Sequence, residues 1–273
     1  MTISLDSLLA GACPKMTIQK ASLSAEGAGT FSSLWKVAGS PNAGSNPPAY
    51  TAGSGYSPTN ATTGSMGQAD ASSGDELRLT SLEASGSTAG KLIIYDRLWA
   101  CSGFLTNDTT LRSVTTPDIV PTGRIPNGTD YSDVELWLEV YTAPGATGAT
   151  WTIVAVDGGG TNRTLTYTHP ANAESVGQMM MVTPLPALTA GFHDPVIFEC
   201  SVFAGTAGDI GISLLRRIAS IDMTVINTGQ FRGALDLGLP RARDGACLAM
   251  MVQCTTTNTG LILGDVGISE ITP

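Results

Sequence analysis

Val134, Leu136, Leu138 and Val140 alternate with Glu135, Trp137, Glu139 and Tyr141. Successive strand side chains point to opposite faces, so this run predicts a strand with one aliphatic face and one polar, aromatic-bearing face. A linker with Pro144, Gly145 and Gly148 follows, then T-W-T-I-V-A-V. That second run is rich in β-branched and aromatic residues, which suit a pleated surface, and the linker residues turn a chain readily. The pattern predicts an antiparallel hairpin with a longish loop.

The turn signature recurs. Thr88-Ala89-Gly90, Ala146-Thr147-Gly148, Thr206-Ala207-Gly208 and Asn258-Thr259-Gly260 each sit between two apolar runs, and their last glycines lie 58, 60 and 52 residues apart. Read as four hairpins, they make about eight short strands. Such spacing predicts an all-β fold, an antiparallel β-sandwich with the strand count of a jelly roll. Three loop-rich connections separate the units. The second holds a short strand near 179–182, and the third holds one helical turn within 231–239.

The first 75 residues differ in texture. Residues 2–10 predict a short helix, with Ser4 as N-cap and Leu5, Leu8 and Leu9 on one face. From Gly39 to Gly74 the chain is mostly Gly, Ser, Ala, Thr, Pro and Asn, with few apolar anchors. Such a stretch cannot by itself offset its ordering entropy. It is expected to be held either on its own β-domain or across neighbouring subunits, and coupled ordering points to the neighbours. The predicted organisation is an extended N-terminal arm over 1–75 and a sandwich over 76–273. Trp35, Tyr50 and Tyr56 are the expected partner-binding anchors of the arm, and Trp137 is a further candidate on the sandwich.

Composition narrows the function classes. Charged residues are only 14%, against about 25% in ordinary soluble domains. A surface so poor in charge suits packing against other copies or partners; a Ser/Thr-rich polar surface is the plainer alternative. The net charge of −9 disfavours nucleic acid, which needs clustered Lys and Arg. No apolar run reaches the roughly 18 residues of a membrane helix. Met1 to Ala12 lacks a basic n-region, so the chain is expected to be made in a cytoplasm and kept there or released by lysis. The five cysteines, without a C-x-x-C, are expected to act as small buried apolar residues rather than metal ligands.

Candidate chemistry is sparse. His169 and His193 sit beside prolines and read as turn residues. No nucleophile elbow, phosphate-binding loop or dinucleotide fingerprint occurs. Asp157-Gly158-Gly159-Gly160 has a phosphate cradle's composition but lies between two strands. Glu135 and Glu139 would lie roughly 13 Å apart on one strand, too far for a glycosidase pair. Trp137, Tyr141 and Trp151 leave open an aromatic platform for glycans. No catalytic residue, cofactor or metal is expected.

Three segments carry a resemblance: A-S-G-S-T-A-G-K-L-I-I-Y-D-R-L-W (84–99), R-D-G-A-C-L-A-M-M-V-Q-C-T-T-T-N-T-G (243–260) and S-L-W-K-V-A-G-S-P-N-A-G-S (33–45). They resemble virion structural proteins of tailed bacteriophages. The resemblance implies a non-enzymatic decoration or cement protein on the capsid surface, synthesised in the host cytoplasm and bound to the major capsid protein. Self-association, as a homotrimer, is the expected assembly. A low-copy neck or tail component and a glycan-binding host-attachment module are the alternatives.

Overall fold

In the computed structural model, the strands on either side of each recurrent turn are not paired with each other. The structure describes residues 14–23, 27–49, 55–114, 121–144, 149–169, 175–182, 191–202 and 207–272. Among these, sixteen strands follow in order: β1 (Lys15–Lys20), β2 (Phe31–Ser33), β3 (Gly39–Ser40), β4 (Glu76–Gly86), β5 (Gly90–Leu105), β6 (Arg112–Ser113), β7 (Val134–Thr142), β8 (Ala149–Asp157), β9 (Asn162–His169), β10 (Gln178–Met181), β11 (Phe192–Val202), β12 (Asp209–Met223), β13 (Gln230–Gly233), β14 (Arg241–Ala242), β15 (Leu248–Cys254) and β16 (Ile262–Ile271). One helical turn, α1 (Ala234–Leu237), falls inside the predicted range. The fold is all-β and its strand pairs are antiparallel, as expected, with more strands than the eight counted from the turns. The predicted helix over 2–10 lies outside the described residues.

The chain divides into two compact units: the second comprises Asn46–Pro58 and Arg97–Arg216, with boundaries inside β5 and β12, and the first comprises the rest. In the first unit, one sheet has the order β13-β4-β16-β1-β3, with β14 also on β4. A second layer pairs β15 with β2 and β5. In the second unit β7 pairs with β10 and β12, and a separate sheet runs β6-β11-β8-β9.

This topology corrects the hairpin reading. β4 and β5 flank the first turn, β7 and β8 the second, β11 and β12 the third, β15 and β16 the fourth, and none of these couples are sheet neighbours. Each couple lies in two different sheets, so the chain crosses from one sheet to another between its strands. In the first unit the two crossings are arches that work as a pair. β4 lies beside β16 with Leu82 opposite Val266, and β5 lies beside β15 with Ile94 opposite Met250. Their two arches are then bonded side by side: Ser87 N–H donates to Leu261 O at 2.9 Å, Thr255 N–H to Ala89 O at 3.1 Å, and Thr88 Oγ1 to Thr259 O at 2.8 Å. The second unit repeats the plan, with β7 beside β12 and β8 beside β11. Each unit is therefore an antiparallel ribbon folded over on itself, the construction of a sandwich. The true hairpin is β8–β9, turned by the glycine run 158–160.

Each folded ribbon encloses its own core. In the first unit Leu79, Leu82 and Ala84 of β4 meet Leu92, Ile94, Leu248, Met250 and Val252 from the other layer. In the second, Leu136, Leu138 and Val140 of β7 join Ile210, Ile212 and Leu214, facing Trp151, Ile153 and Phe198. The aliphatic face read from the β7 alternation is thus the one that enters the core.

The stretch read as an arm has its anchors in its own chain. β1 pairs with β16 along its full length. Met66 N–H donates to Leu248 O, Gly245 N–H to Asp70 Oδ1 and Ala71 N–H to Asp244 Oδ1. Lys20 is buried and donates from Nζ to Val37 O at 3.0 Å and Pro41 O at 2.5 Å, fixing the loop after β2. Burial lowers its ammonium pKa from the ordinary 10.5 to about 8. Between those values the unfolded chain holds the proton and the folded chain does not, so stability from this group rises with pH. Below about 8 its desolvation cost is fully present. Unfolding measured from pH 8 to 10.5 should show this rise in the native protein and a flatter profile in Lys20→Met; identical profiles would contradict the buried charge.

Candidate interaction surface

The expected partner-binding residues are mostly turned inward. Trp35 is 1% exposed and packs with Cys247 and Ala249. Its Nε1 donates to Ser45 O at 2.8 Å; a Cβ at Gly44 would overlap the indole, and one at Gly64 would press tightly against it. Trp137 is fully buried, with Nε1 donating to Glu135 Oε2 at 2.9 Å. Tyr56 is half-buried and exchanges two backbone bonds of 3.0 Å with Ala100. Tyr50 lies outside the described residues. Trp35 and Trp137 therefore offer a partner no area in this conformation; their size and polar edge suit a core position with one hydrogen bond each. The proposed glycan platform meets the same correction, since Trp137, Tyr141 and Trp151 are all buried.

The polar face of β7 closes over a charge. Arg97 Nη2 donates to Glu139 Oε2 at 2.7 Å, Tyr141 Oη at 2.6 Å and Ser213 Oγ at 3.0 Å. Tyr141 Oη in turn donates to Glu139 Oε2 at 2.6 Å. All four residues are buried. Burial, foremost, holds the Tyr141 phenol well above its ordinary pKa, so it stays a donor. Gly211 sits against the Tyr141 ring, where any side chain would overlap it. Without an opening to solvent this cluster orders β5, β7 and β12 rather than meeting a substrate.

Other chemistry-bearing residues are equally structural. Asp157 accepts from Gly159 N, Thr161 N and Arg163 Nε, so its carboxylate shapes the β8–β9 turn. His193 lies on β11, edge-on to Tyr131 at 4.3 Å, rather than capping a turn. Cys101, Cys247 and Cys254 are buried and outside any disulfide, and burial raises the Cys101 thiol to about 12. Among the described residues, no group of three or more His, Cys, Asp or Glu side chains could hold a metal ion.

Among its exposed residues the first unit also carries large apolar side chains. Val225 and Ile226 after β12, Phe231 on β13 and Leu235 on α1 are 53, 56, 64 and 94% exposed. β13 ends the sheet order, and a sheet edge presents backbone groups as well as side chains. The edge is held firmly. Arg232 Nη1 donates to Ser220 O at 2.8 Å and Nη2 to Asp236 O at 2.6 Å, tying the strand to α1. Gly238 takes a left-handed φ of 72° to end α1, and its N–H returns to Ala234 O. Phe231 stands opposite Glu83, which stands opposite Asp265. Exposed Leu263 lies two residues from Asp265, on the same sheet face. The sequence signal was Val225-Ile226 set among Thr224, Asn227, Thr228 and Gly229: apolar residues in a turn with no strand period to bury them.

No protein-family model matches the chain, and no curated protein matches it. Among solved structures, similarity is found to the infectious bursal disease virus VP2 subviral particle, at a TM-score of 0.19 and 10% identity over 96% of this chain and 80% of that one. T=1 particles derived from infectious bursal virus give a TM-score of 0.19 and 10% identity, over 96% and 77%. Similarity of this size carries no argument about fold or function.

Removing one partner of a buried pair strands the other charge. Arg97→Ala should therefore cost roughly 3–5 kcal/mol, read from the denaturant midpoint. Arg97→Met combined with Glu139→Leu should recover most of that loss. A single substitution costing under about 1 kcal/mol would be the value of an exposed pair and would contradict the burial.

Proposed function

We propose that this chain is a non-enzymatic virion structural protein of a tailed bacteriophage, a decoration or cement protein that bridges major capsid subunits. The observation that carries this reading is the set of exposed apolar side chains at the β13 edge and the segments beside it, Phe231, Leu235, Val225 and Ile226. Such a patch marks an interaction site when it is contiguous and framed by polar residues. The resemblance of segments 33–45, 84–99 and 243–260 to phage virion proteins supplies the setting. The low charge content fits a surface that is largely covered in the assembly.

The mechanism is mechanical. Each copy seats its apolar edge on neighbouring shell proteins and self-associates, as a trimer, around a symmetry axis. Separation of the shell subunits then requires re-exposing that edge to water. Burying Phe231 and Leu235 stabilises the contact by about 1.5–3 kcal/mol each.

The test is binding of the purified full chain to particles that lack it. Phe231→Ser with Leu235→Glu should reduce particle binding by more than about tenfold while leaving the melting temperature unchanged, because neither side chain is buried in the free chain. Undiminished binding would remove this edge as the contact and leave the proposal without its support.

A further inference from the structure

We infer that the outer edge of β9 is a self-association site, where a second copy of the chain adds its own β9 antiparallel about a twofold axis. β9 ends the sheet order β6-β11-β8-β9, and among the described residues β8 is its only sheet partner. A free strand edge presents backbone groups that another strand can bond. The turn before β9 settles which groups those are. Asp157 N–H donates to Thr161 O at 2.9 Å. Residues 157 and 161 are thus a hydrogen-bonded pair, and such pairs alternate along an antiparallel ladder. The N–H and C=O groups of Thr164, Thr166 and Thr168 therefore point away from β8.

This edge lacks the usual protection. Proteins keep strand edges apart with short strands, prolines, bulges or charges. The other strands that end these open sheets, β3, β6 and β13, have two, two and four residues, whereas β9 has eight. β9 contains no proline, and its register against β8 runs from Asn162 to His169 without a shift. Residues 164–168 carry no charge. Arg163 is turned to Asp157, donating from Nε to Oδ2 at 2.8 Å.

A second copy fits because the strand is self-complementary about Leu165. Residues opposite each other in an antiparallel pair share a sheet face. A twofold axis at Leu165 sets Thr164 opposite Thr166 of the second copy, Asn162 opposite Thr168, and Arg163 opposite Tyr167. No like charges meet. Leu165, part of the core of its own unit, adjoins its equivalent on the covered face. The exposed face becomes threonine against threonine, a pairing β9 already makes with β8, where the Thr150 and Thr168 hydroxyls lie 3.1 Å apart. Such cross-strand pairs stabilise antiparallel strands. A contact of this length is small and reversible in dilute solution, and it strengthens when copies are held close together. It is a twofold contact, separate from the threefold association proposed above, and it does not depend on the chain being a shell component.

The experiment is backbone amide hydrogen exchange by NMR on the full chain at two concentrations. Raising the protein from about 20 μM to about 1 mM should slow exchange at Thr164, Thr166 and Thr168 by at least about threefold. Thr166→Val, which keeps the backbone groups, should retain the effect. Thr166→Pro should abolish it at Thr164 and Thr168 without lowering the order of β8 and β9, since the lost N–H makes no bond to β8. Thr164→Lys with Thr166→Lys, which sets like charges opposite each other across the axis, should abolish it while leaving the melting temperature within a few degrees of the native value. Exchange at these amides that is independent of concentration in the native chain would overturn the inference. So would undiminished concentration dependence in the folded double-lysine variant. None of these outcomes bears on particle binding through the β13 edge.

Discussion

Strands buried on both faces constrain this chain more than any other feature. Ile93 and Tyr95 on one face of β5 are as inaccessible as Leu92 and Ile94 on the other. β7 is buried the same way, with Leu138 on one side and Trp137 and Glu139 on the other. A strand of that kind cannot form a free-standing hairpin with its sequence neighbour, because both faces need cover and both edges need partners. The chain meets the requirement by folding antiparallel ribbons across themselves. The stacked arches at Ser87–Ala89 and Thr255–Leu261 hold the first ribbon at its bend. The threonines there satisfy backbone groups that a sheet ladder would otherwise pair. Thr259 does so twice from a fully buried position, accepting from Leu23 N–H at 2.8 Å through its hydroxyl and donating its own N–H to Leu23 O at 3.1 Å.

The same logic explains what the residues disclosed in advance. Alternation in β7 located the strand and assigned Leu136, Leu138 and Val140 to the core, because period two is a local property. The recurring glycine-ended turns mark where one strand gives way to the next, but not as the hairpins their pattern predicts. Whether a reversal becomes a hairpin or an arch depends on which faces are covered, and that is decided by strands far away. The partner that buries Glu139 is Arg97, 42 residues distant in sequence. Nothing in V-E-L-W-L-E-V-Y-T announces that its polar face will be enclosed with a guanidinium. Trp35 was misplaced for the same reason. Glycine-rich neighbours looked like an open arm, whereas Gly44 and Gly64 are small because the indole lies against them.

The polar cluster and the exposed edge then divide the labour. Arg97, Glu139, Tyr141 and Ser213 form a directional network inside the second unit, where geometry tolerates few alternatives. Its value lies in fixing the register of β7 against β12 more than in net stability. The surface of the first unit is the reverse case: Phe231 and Leu235 are set on a firm edge strand and helical turn with nothing to cover them. The Arg97 cluster is thus sealed in, while a few large apolar side chains beside the apolar core face outward. That distribution suits a part that is joined to other parts, and it is the basis for reading the chain as a component of a viral shell.

The most direct check of that reading is the number of copies in a purified virus particle, measured by quantitative mass spectrometry against the major capsid protein. A decoration protein must be present in numbers comparable to the shell subunits, hundreds per particle. A handful of copies, or none, would contradict the assignment to the capsid surface.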